Sequence, residues 1–396
     1  MGSRFIALPV GQGDAFYLKR ENLHLLVDGG RAKRALPGLL KAHAAPSRLD
    51  VVICTHNDAD HANGLIGLLE DQPVPIHEVW LPGTWAWRFE DLVAHPYEFV
   101  QELAHDIYDV GEEVETLEQY YEQYWERLRS SIETSEIARI PDQDADTGEW
   151  LMDIFDRQDI FPWRSWREHW YLFKPPYPIF RMLHYPICRR LWLECLNAAH
   201  RIKSIAEAAL NAGARIRLFE FVQSPDMAAG GYQGQLEPIN SREVWPRRVN
   251  THRVNISALL YLALTTANRE SLVFYAPEQA NNNCPSVLFT ADSDLACKLT
   301  HVQKPIKNII VTAPHHGSEA NRSAYTEVTN WIEADKVIWV RSDSRSKKRP
   351  GDTFKGQLKR LCTLCNPPTG PKSTIRLHAV KSHWQRTRGT GWCLCK

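Results

Sequence analysis

The stretch from Val51 to Gly64 reads VVICTHNDADHANG. An apolar run ends at Thr55. Four side chains able to bind a metal ion follow within six residues: His56, Asp58, Asp60 and His61. A loop that leaves a strand points alternate residues one way. His56 and Asp58 can therefore share one ion while Asp60 and His61 turn toward a second. Imidazole combined with carboxylate suits Zn²⁺, Mn²⁺ or Fe. A solvated polar loop with a helix cap is the plain alternative, but it does not require four ligand types directly behind a buried strand.

The elements that must carry this cluster are legible in part. Phe5 to Val10, Ala15 to Leu18 and Leu23 to Val27 read as strands, with a Gly-rich turn after the first and Asp28-Gly29-Gly30 after the third. A short amphipathic helix over Arg34 to His43 and a buried-type strand over Asp50 to Cys54 follow. Strands alternating with helices favour a layered α/β fold. From residue 86 to about 205 the texture turns helical. Nine of the fourteen tryptophans lie between Trp80 and Trp192. One helix is expected over Tyr97 to Ile137, with Val114, Leu117, Tyr121, Trp125 and Leu128 at three-four spacing. Another is expected over Ile187 to Ala212, after a Pro-rich break at residues 173–178. Strand texture returns at Ala214 to Phe221, Ile256 to Leu264, Ser271 to Tyr275, Val287 to Thr290, Ile309 to Val311 and Lys336 to Val340.

The cluster H-x-D-x-D-H at residues 56–61 resembles the HxHxDH signature of the metallo-β-lactamase fold. Further matches stand in the same order along the chain. They are Val10-Gly11-Gln12-Gly13-Asp14 with the later Asp28-Gly29-Gly30, Asn268 to Val273 with Leu288 to Asp292, and Pro314-His315-His316-Gly317-Ser318. Together they resemble the ComEC/Rec2-like branch, the metallo-β-lactamase domain of DNA-uptake proteins and their soluble relatives. The resemblance implies an αββα four-layer sandwich. It divides the chain into a first half of the core at 1–85, an acidic, Trp-rich helical insertion at 86–205, a second half of the core at 206–345, and a basic Cys/His-containing extension at 346–396.

The resemblance also implies roles. His56 and Asp58 hold one divalent ion, and Asp60 and His61 the other. Asp292 bridges them and His315 completes the second site, with His316 as an outer ligand or substrate contact beside Ser318. Asp60, Asp292 and Asp14 are the catalytic carboxylates, and Asp14 and Asp28 orient ligands from their turns. Two cations about 3.5–4 Å apart polarise a phosphoryl or carbonyl oxygen and activate a water between them. Four departures stand out. No clear counterpart of the family's separate third His is present, His252 being the nearest. Asp58 replaces the usual second His, which leans the first site toward Mn²⁺. Ala291 stands where Gly is common, and Arg349-Pro350 where His-Pro is common. An arginine there can bind phosphate but cannot donate a proton at neutral pH.

The formal net charge is zero, yet the charges are segregated. Residues 89–160 carry 21 acidic and 4 basic side chains, and residues 341–396 carry 14 basic against 2 acidic. A basic tail holding Lys347, Lys348 and Arg349 beside a two-metal site suits a polyanionic substrate, with Trp384 or Trp392 available to stack on bases. The acidic insertion is a solvated helical domain, a platform for a protein partner, a lid, or a nucleic-acid-mimicking gate opposing the basic tail. Cys362, Cys365, Cys393 and Cys395 can bind one structural zinc, or they are free thiols of a packed tail. Of the nine cysteines, Cys54, Cys188, Cys195, Cys284 and Cys297 are scattered among apolar neighbours, which suits a reducing cytosol, and no apolar run is long enough to span a membrane. The expected activity is metal-dependent hydrolysis of a phosphodiester, as a nuclease acting on DNA. The alternatives are hydrolysis of a cyclic nucleotide, lactone or thioester, and a non-catalytic regulatory module of the same fold.

Overall fold

The computed structural model describes residues 2–124, 147–157, 185–245, 256–279, 282–343, 349–365 and 373–395. Two sheets form its centre. The first runs in the order β15-β14-β1-β2-β3-β4-β5-β6-β8. Its strands are β1 (Arg4–Ala7), β2 (Phe16–Arg20), β3 (Leu23–Val27), β4 (Leu49–Ile53), β5 (Ile76–Pro82), β6 (Arg215–Phe221), β8 (Ser241–Val244), β14 (Ile375–Val380) and β15 (His383–Arg386). The second runs β13-β12-β11-β10-β9-β7, from β7 (Glu237–Pro238), β9 (Phe274–Ala276), β10 (Val287–Phe289), β11 (Ile309–Thr312), β12 (Val337–Arg341) and β13 (Arg360–Cys362). Pairing is parallel from β3 to β6 and from β10 to β13.

Period-two alternation sorts the side chains between layers. Phe5, Phe16, Leu18, Leu25, Val51 and Ile53 meet Phe274, Val287, Ile310 and Ile338 between the sheets. Ile6, Tyr17, Leu26 and Val52 face outward under helices α1 (Leu36–His43) and α2 (Ala59–Asp71). On the far side Val273, Leu288, Ile309 and Trp339 are covered by α8 (Arg322–Trp331). Helix, sheet, sheet, helix is the αββα arrangement of the metallo-β-lactamase fold.

The inserted helices are part of the first outer layer. α3 (Phe89–Ala94), α4 (Pro96–Val110), the helical residues 117–124, α5 (Thr147–Asp156) and α6 (Pro186–Asn211) share one apolar core with β4, β5 and α2. The helix expected over Tyr97 to Ile137 is interrupted. It stops at Val110, where Gly111 takes a φ of 64° and donates its N–H to the Ile107 carbonyl. Trp125, Leu128 and the Pro-rich 173–178 lie outside the described residues.

Two expectations are corrected. Ile256 to Leu264 was expected as a strand, but it is helix α7 (Ala258–Thr266). A short, wholly apolar run fits a buried strand or a buried helix equally well. Its capping groups decide. Ser257 accepts the Leu260 N–H at 3.3 Å, and α4 supplies Glu102 Oε1 for the Ala258 N–H at 3.0 Å and Asp106 Oδ2 for the Leu259 N–H at 2.9 Å. Carboxylates at the exposed N–H groups of a helix start stabilise it. The segment after residue 346 is also more than an extension. β14 pairs antiparallel with β1, and β13 pairs parallel with β12, so this segment completes both sheets. Trp384 is consequently 2% exposed between the sheets, donating to the Ser286 carbonyl, and it is not free to stack on a base. Trp392 remains exposed, with the Arg386 guanidinium 4.1 Å from its ring. No helix among the described residues is long and apolar enough to cross a membrane.

Candidate metal centre

The chemistry-bearing side chains meet at one edge of the sandwich, just past the C-terminal ends of parallel strands. Thr55 and His56 follow β4, Asp292 follows β10, His315 and His316 follow β11, and Asp343 follows β12. Such edges are where α/β sheets usually place ligands. The turns press together closely. A Cβ added to Gly13 would lie 1.8 Å from the Asp60 carbonyl oxygen, at a φ of +101°. Glycine there lets the β1–β2 turn rest on the first turn of α2, where the Asp14 N–H donates to the Asp60 carbonyl at 3.1 Å. Gly64 meets Gly29 in the same way, its added Cβ falling 1.9 Å from the Gly29 carbonyl oxygen. The two glycine-containing turns thus fix Asp14 and Asp28 against the helix that carries Asp60 and His61.

Asp28 is the hub of the histidine arrangement. Its Oδ1 accepts the Thr55 N–H at 2.9 Å, and its Oδ2 accepts the Thr55 hydroxyl at 2.8 Å. The same Oδ2 lies 2.7 Å from His61 Nδ1. With its proton donated to Asp28, the Thr55 hydroxyl is an acceptor for His56 Nδ1, 3.1 Å away. One carboxylate therefore places the Nδ1 proton on both rings, directly on His61 and through Thr55 on His56. The lone pairs of both Nε2 atoms are left facing inward. Asp14 Oδ1 lies 3.1 Å from His316 Nδ1 as a buried ion-pair contact, outside hydrogen-bonding geometry. Asp14, His61, Asp292 and His316 form a fully buried cluster whose ligand-type atoms lie within 4.8 Å of one another. Because Asp14 faces the outer nitrogen of His316, its geometry is that of an orienting group.

Asp292 divides the cluster in two. Its Oδ1 is 3.1 Å from His61 Nε2 and 3.8 Å from His316 Nε2. Its Oδ2 is 3.9 Å from His56 Nε2 and 3.7 Å from His315 Nε2. Asp58 Oδ2 stands 3.8 Å from His56 Nε2 on the second side, and Asp60 Oδ2 stands 3.4 Å from His316 Nε2 on the first. His315 is held by Asn321, whose side-chain oxygen faces its Nδ1 at 3.1 Å. His315, His316 and Gly317 all take positive φ, which turns the two adjacent imidazoles to opposite sides of Asp292.

The donor set fits cations. His56 Nε2 and Asp292 Oδ1 are buried without a partner in hydrogen-bonding geometry. His61 Nε2 and His316 Nε2 face each other at 3.2 Å. The outer nitrogen of His61 is engaged by Asp28 and that of His316 faces Asp14, so a cation between the two inner nitrogens would be met by both. Burial and the neighbouring His61 pull His56 down to about 3, which keeps its ring neutral. Burial opposes charge on His61 and His316, but Asp292 with Asp28, and Asp14 with Asp292, override it and raise both. Asp292 is itself held low, despite burial, by His61, His316 and His315. The centre without metal therefore stores protons that a cation displaces.

Comparison with known proteins agrees with this geometry. Residues 8–133 match the metallo-beta-lactamase superfamily. The matched segment holds β2 to β5 with Asp14, Asp28 and the His56–His61 cluster. Asp292 and the His315-His316 pair lie beyond it and join it through the fold. No curated protein matches the chain. Members of the metallo-β-lactamase superfamily are in general metal-dependent hydrolases, and the convergent imidazoles and carboxylates supply the donors such chemistry needs.

The other candidate residues fall at different distances from the centre. Ser318 accepts the Ala320 N–H at 3.3 Å and caps the turn at Glu319–Asn321. Arg349 lies with its guanidinium 4.0 Å from Asp60 Oδ2 and 3.7 Å from Asp343 Oδ2. Lys347, Lys348 and His252 lie outside the described residues. Four contributors were not singled out from the sequence: Thr55, Asn321, Arg341 and Asp343. Arg341 is fully buried. It donates to the His316 carbonyl at 2.6 Å and to Asp343 Oδ2 at 2.8 Å, while Asp343 Oδ1 accepts the Gly13 N–H at 3.3 Å. The only signal for this pair was a charged Arg-Ser-Asp at the end of an apolar strand.

Proposed function

We propose that the chain is a two-metal phosphodiesterase that cleaves nucleic acid, with DNA as its substrate. The observation that carries the phosphodiester reading is Arg349. It is a partly exposed guanidinium beside Asp60 at the mouth of the centre, in a segment rich in lysine and arginine. A guanidinium there matches a phosphate oxygen in geometry and charge. The V-G-Q-G-D turn and the Pro-His-His-Gly-Ser segment support kinship with the ComEC/Rec2-like branch, whose DNA-uptake role motivates the choice of DNA. Zn²⁺ or Mn²⁺ would be held by His56, Asp58 and His315 on one side of Asp292 and by Asp60, His61 and His316 on the other, and would polarise the scissile group and activate water.

The chain's own residues prepare that reaction. Asp28 and Thr55 keep the His56 and His61 lone pairs inward, and Asp14 sets a negative charge at the outer side of His316. Asp292 presents one oxygen to each side. Arg349 neutralises phosphate charge and positions the backbone, so its part is binding.

The decisive experiment strips the protein and reloads it with Mn²⁺ or Zn²⁺. Cleavage of single- and double-stranded DNA and RNA is then followed, with His61→Ala and Asp292→Ala alongside. DNA cleavage lost in both variants supports the reading. No cleavage of any nucleic acid at full metal occupancy overturns it and directs the search to cyclic nucleotides, lactones and thioesters.

A further inference from the structure

A second cluster of metal-binding side chains lies apart from the histidine–aspartate centre. Cys362 ends β13, Cys365 follows in the next turn, and Cys393 and Cys395 come from the end of the described chain. The Cys393 N–H donates to the Arg360 carbonyl at 2.8 Å, so the terminal segment runs against β13. That contact brings four cysteines, distant in sequence as two pairs, to one point. Their sulfurs lie within 4.8 Å of one another, Cys365 and Cys395 at 3.0 Å and Cys365 and Cys393 at 3.8 Å. All four are free thiols.

We infer that Cys362, Cys365, Cys393 and Cys395 bind one structural zinc ion. Zinc–sulfur bonds of about 2.3 Å place tetrahedral sulfurs about 3.8 Å apart, and the observed separations bracket that edge. Four thiols packed together offer each other only weak hydrogen bonds, whereas four thiolates around Zn²⁺ satisfy every sulfur. Such a set carries two net negative charges, and the structure supplies compensation. The Arg341 guanidinium lies 3.3 Å from Cys362 Sγ, and the Cys395 N–H points to Cys393 Sγ at 3.4 Å. With four protein ligands the site is closed to substrate, so its role is structural.

The site also reaches the histidine–aspartate centre through one side chain. Arg341 touches Cys362 with one nitrogen and the His316 carbonyl with another. A zinc that fixes β13 and the terminal segment thereby fixes the arginine behind His316. This inference is independent of the proposed substrate, since it rests on sulfur ligands that the other centre lacks.

The test uses the full chain expressed with zinc. Titration with a mercurial should release one equivalent of zinc as these thiols react. Replacement by Co²⁺ should give the intense near-ultraviolet sulfur-to-cobalt band of a tetrahedral thiolate site. Cys365→Ser and Cys395→Ser should each lose that equivalent and that band. Should either variant fail to fold, the mercurial and cobalt measurements on the unaltered chain decide. A folded chain without thiolate-bound metal, whether its four thiols react freely or Cys365 and Cys395 form a disulfide, overturns the inference. Cobalt bound only by nitrogen and oxygen would overturn it while leaving the histidine–aspartate centre intact.

Discussion

Asp28→Asn isolates the hub carboxylate. Asparagine is nearly isosteric and tolerates the left-handed backbone, here a φ of 59°, so the fold should persist. The Thr55 N–H needs an acceptor at the Oδ1 position, which obliges the amide oxygen to stay there. The NH₂ group must then take the Oδ2 position, 2.7 Å from His61 Nδ1 and 2.8 Å from the Thr55 hydroxyl. A donor facing Nδ1 moves the ring proton to Nε2, toward Asp292 Oδ1 at 3.1 Å and His316 Nε2 at 3.2 Å. The lone pair that a cation needs is lost. The Thr55 hydroxyl, now accepting from the amide, also stops fixing His56. Removing an outer partner of a ligand histidine typically costs 10–100-fold in metal affinity, or about 1.4–2.7 kcal/mol. Competition of the stripped protein with a chromophoric chelator measures this directly, and circular dichroism checks the fold. A folded Asp28→Asn protein that binds both equivalents within about twofold of the unaltered affinity would refute the relay.

Gly13→Ala should destabilise the protein by about 2–3 kcal/mol through its positive φ and the contact with the Asp60 carbonyl, and should weaken metal binding with it; an unchanged urea midpoint would contradict the packing described. Arg341→Met leaves the buried Asp343 without its 2.8 Å partner and should cost about 3–5 kcal/mol, whereas a loss below about 1 kcal/mol in chemical denaturation would show that the pair contributes little. Arg349→Ala should weaken nucleic-acid binding across sequences and lower the salt-dependence slope by about one, which fluorescence anisotropy at several salt concentrations will show; an unchanged slope removes Arg349 from the phosphate contact. The metal-free protein should lose stability as pH rises from about 6 to about 9. His61 and His316 are raised in the folded state, so their stabilisation is full below the ordinary value of 6.5 and disappears as pH climbs through the folded values. Glu118, pushed up to about 8 by burial and then by Asp58, acts in the same direction as it ionises. A urea midpoint equal or higher at the alkaline end would refute this.

Local signals read correctly where the deciding forces are local. β3 and β4 alternate strictly between two buried faces, and β3 falls on the expected Leu23–Val27. α6 begins and ends within a residue of expectation, since its Pro start and the Gly213 that follows act on the chain beside them. The misread segment, 258–266, is one whose conformation is set from elsewhere. Glu102 and Asp106, more than 150 positions away, cap it, and no window around Ser257 contains them. The C-terminal strands escape for a related reason, since β14 is defined by its pairing with β1 at the opposite end of the chain.

The centre divides along the same line. Its ligand types are visible because four of them fall within six residues behind a strand. Which ring nitrogen faces inward is not visible, because Asp28 and Thr55 decide it across two turns. The adjacent pair His315-His316 makes the point most sharply. The resemblance implies that His315 completes the site of Asp60 and His61 and that His316 is an outer ligand or substrate contact. The positive φ of both residues instead places His316 among Asp14, His61 and Asp292, completely buried, and leaves His315 part-exposed at the other oxygen of Asp292. Two neighbours in a left-handed turn point to opposite sides, so one dipeptide serves both halves of the centre. That division requires Gly317 to continue the turn at a φ of 81° and Arg341 to hold the His316 carbonyl from behind. The histidines supply the donor atoms, and the glycine and the arginine determine which donor faces which side.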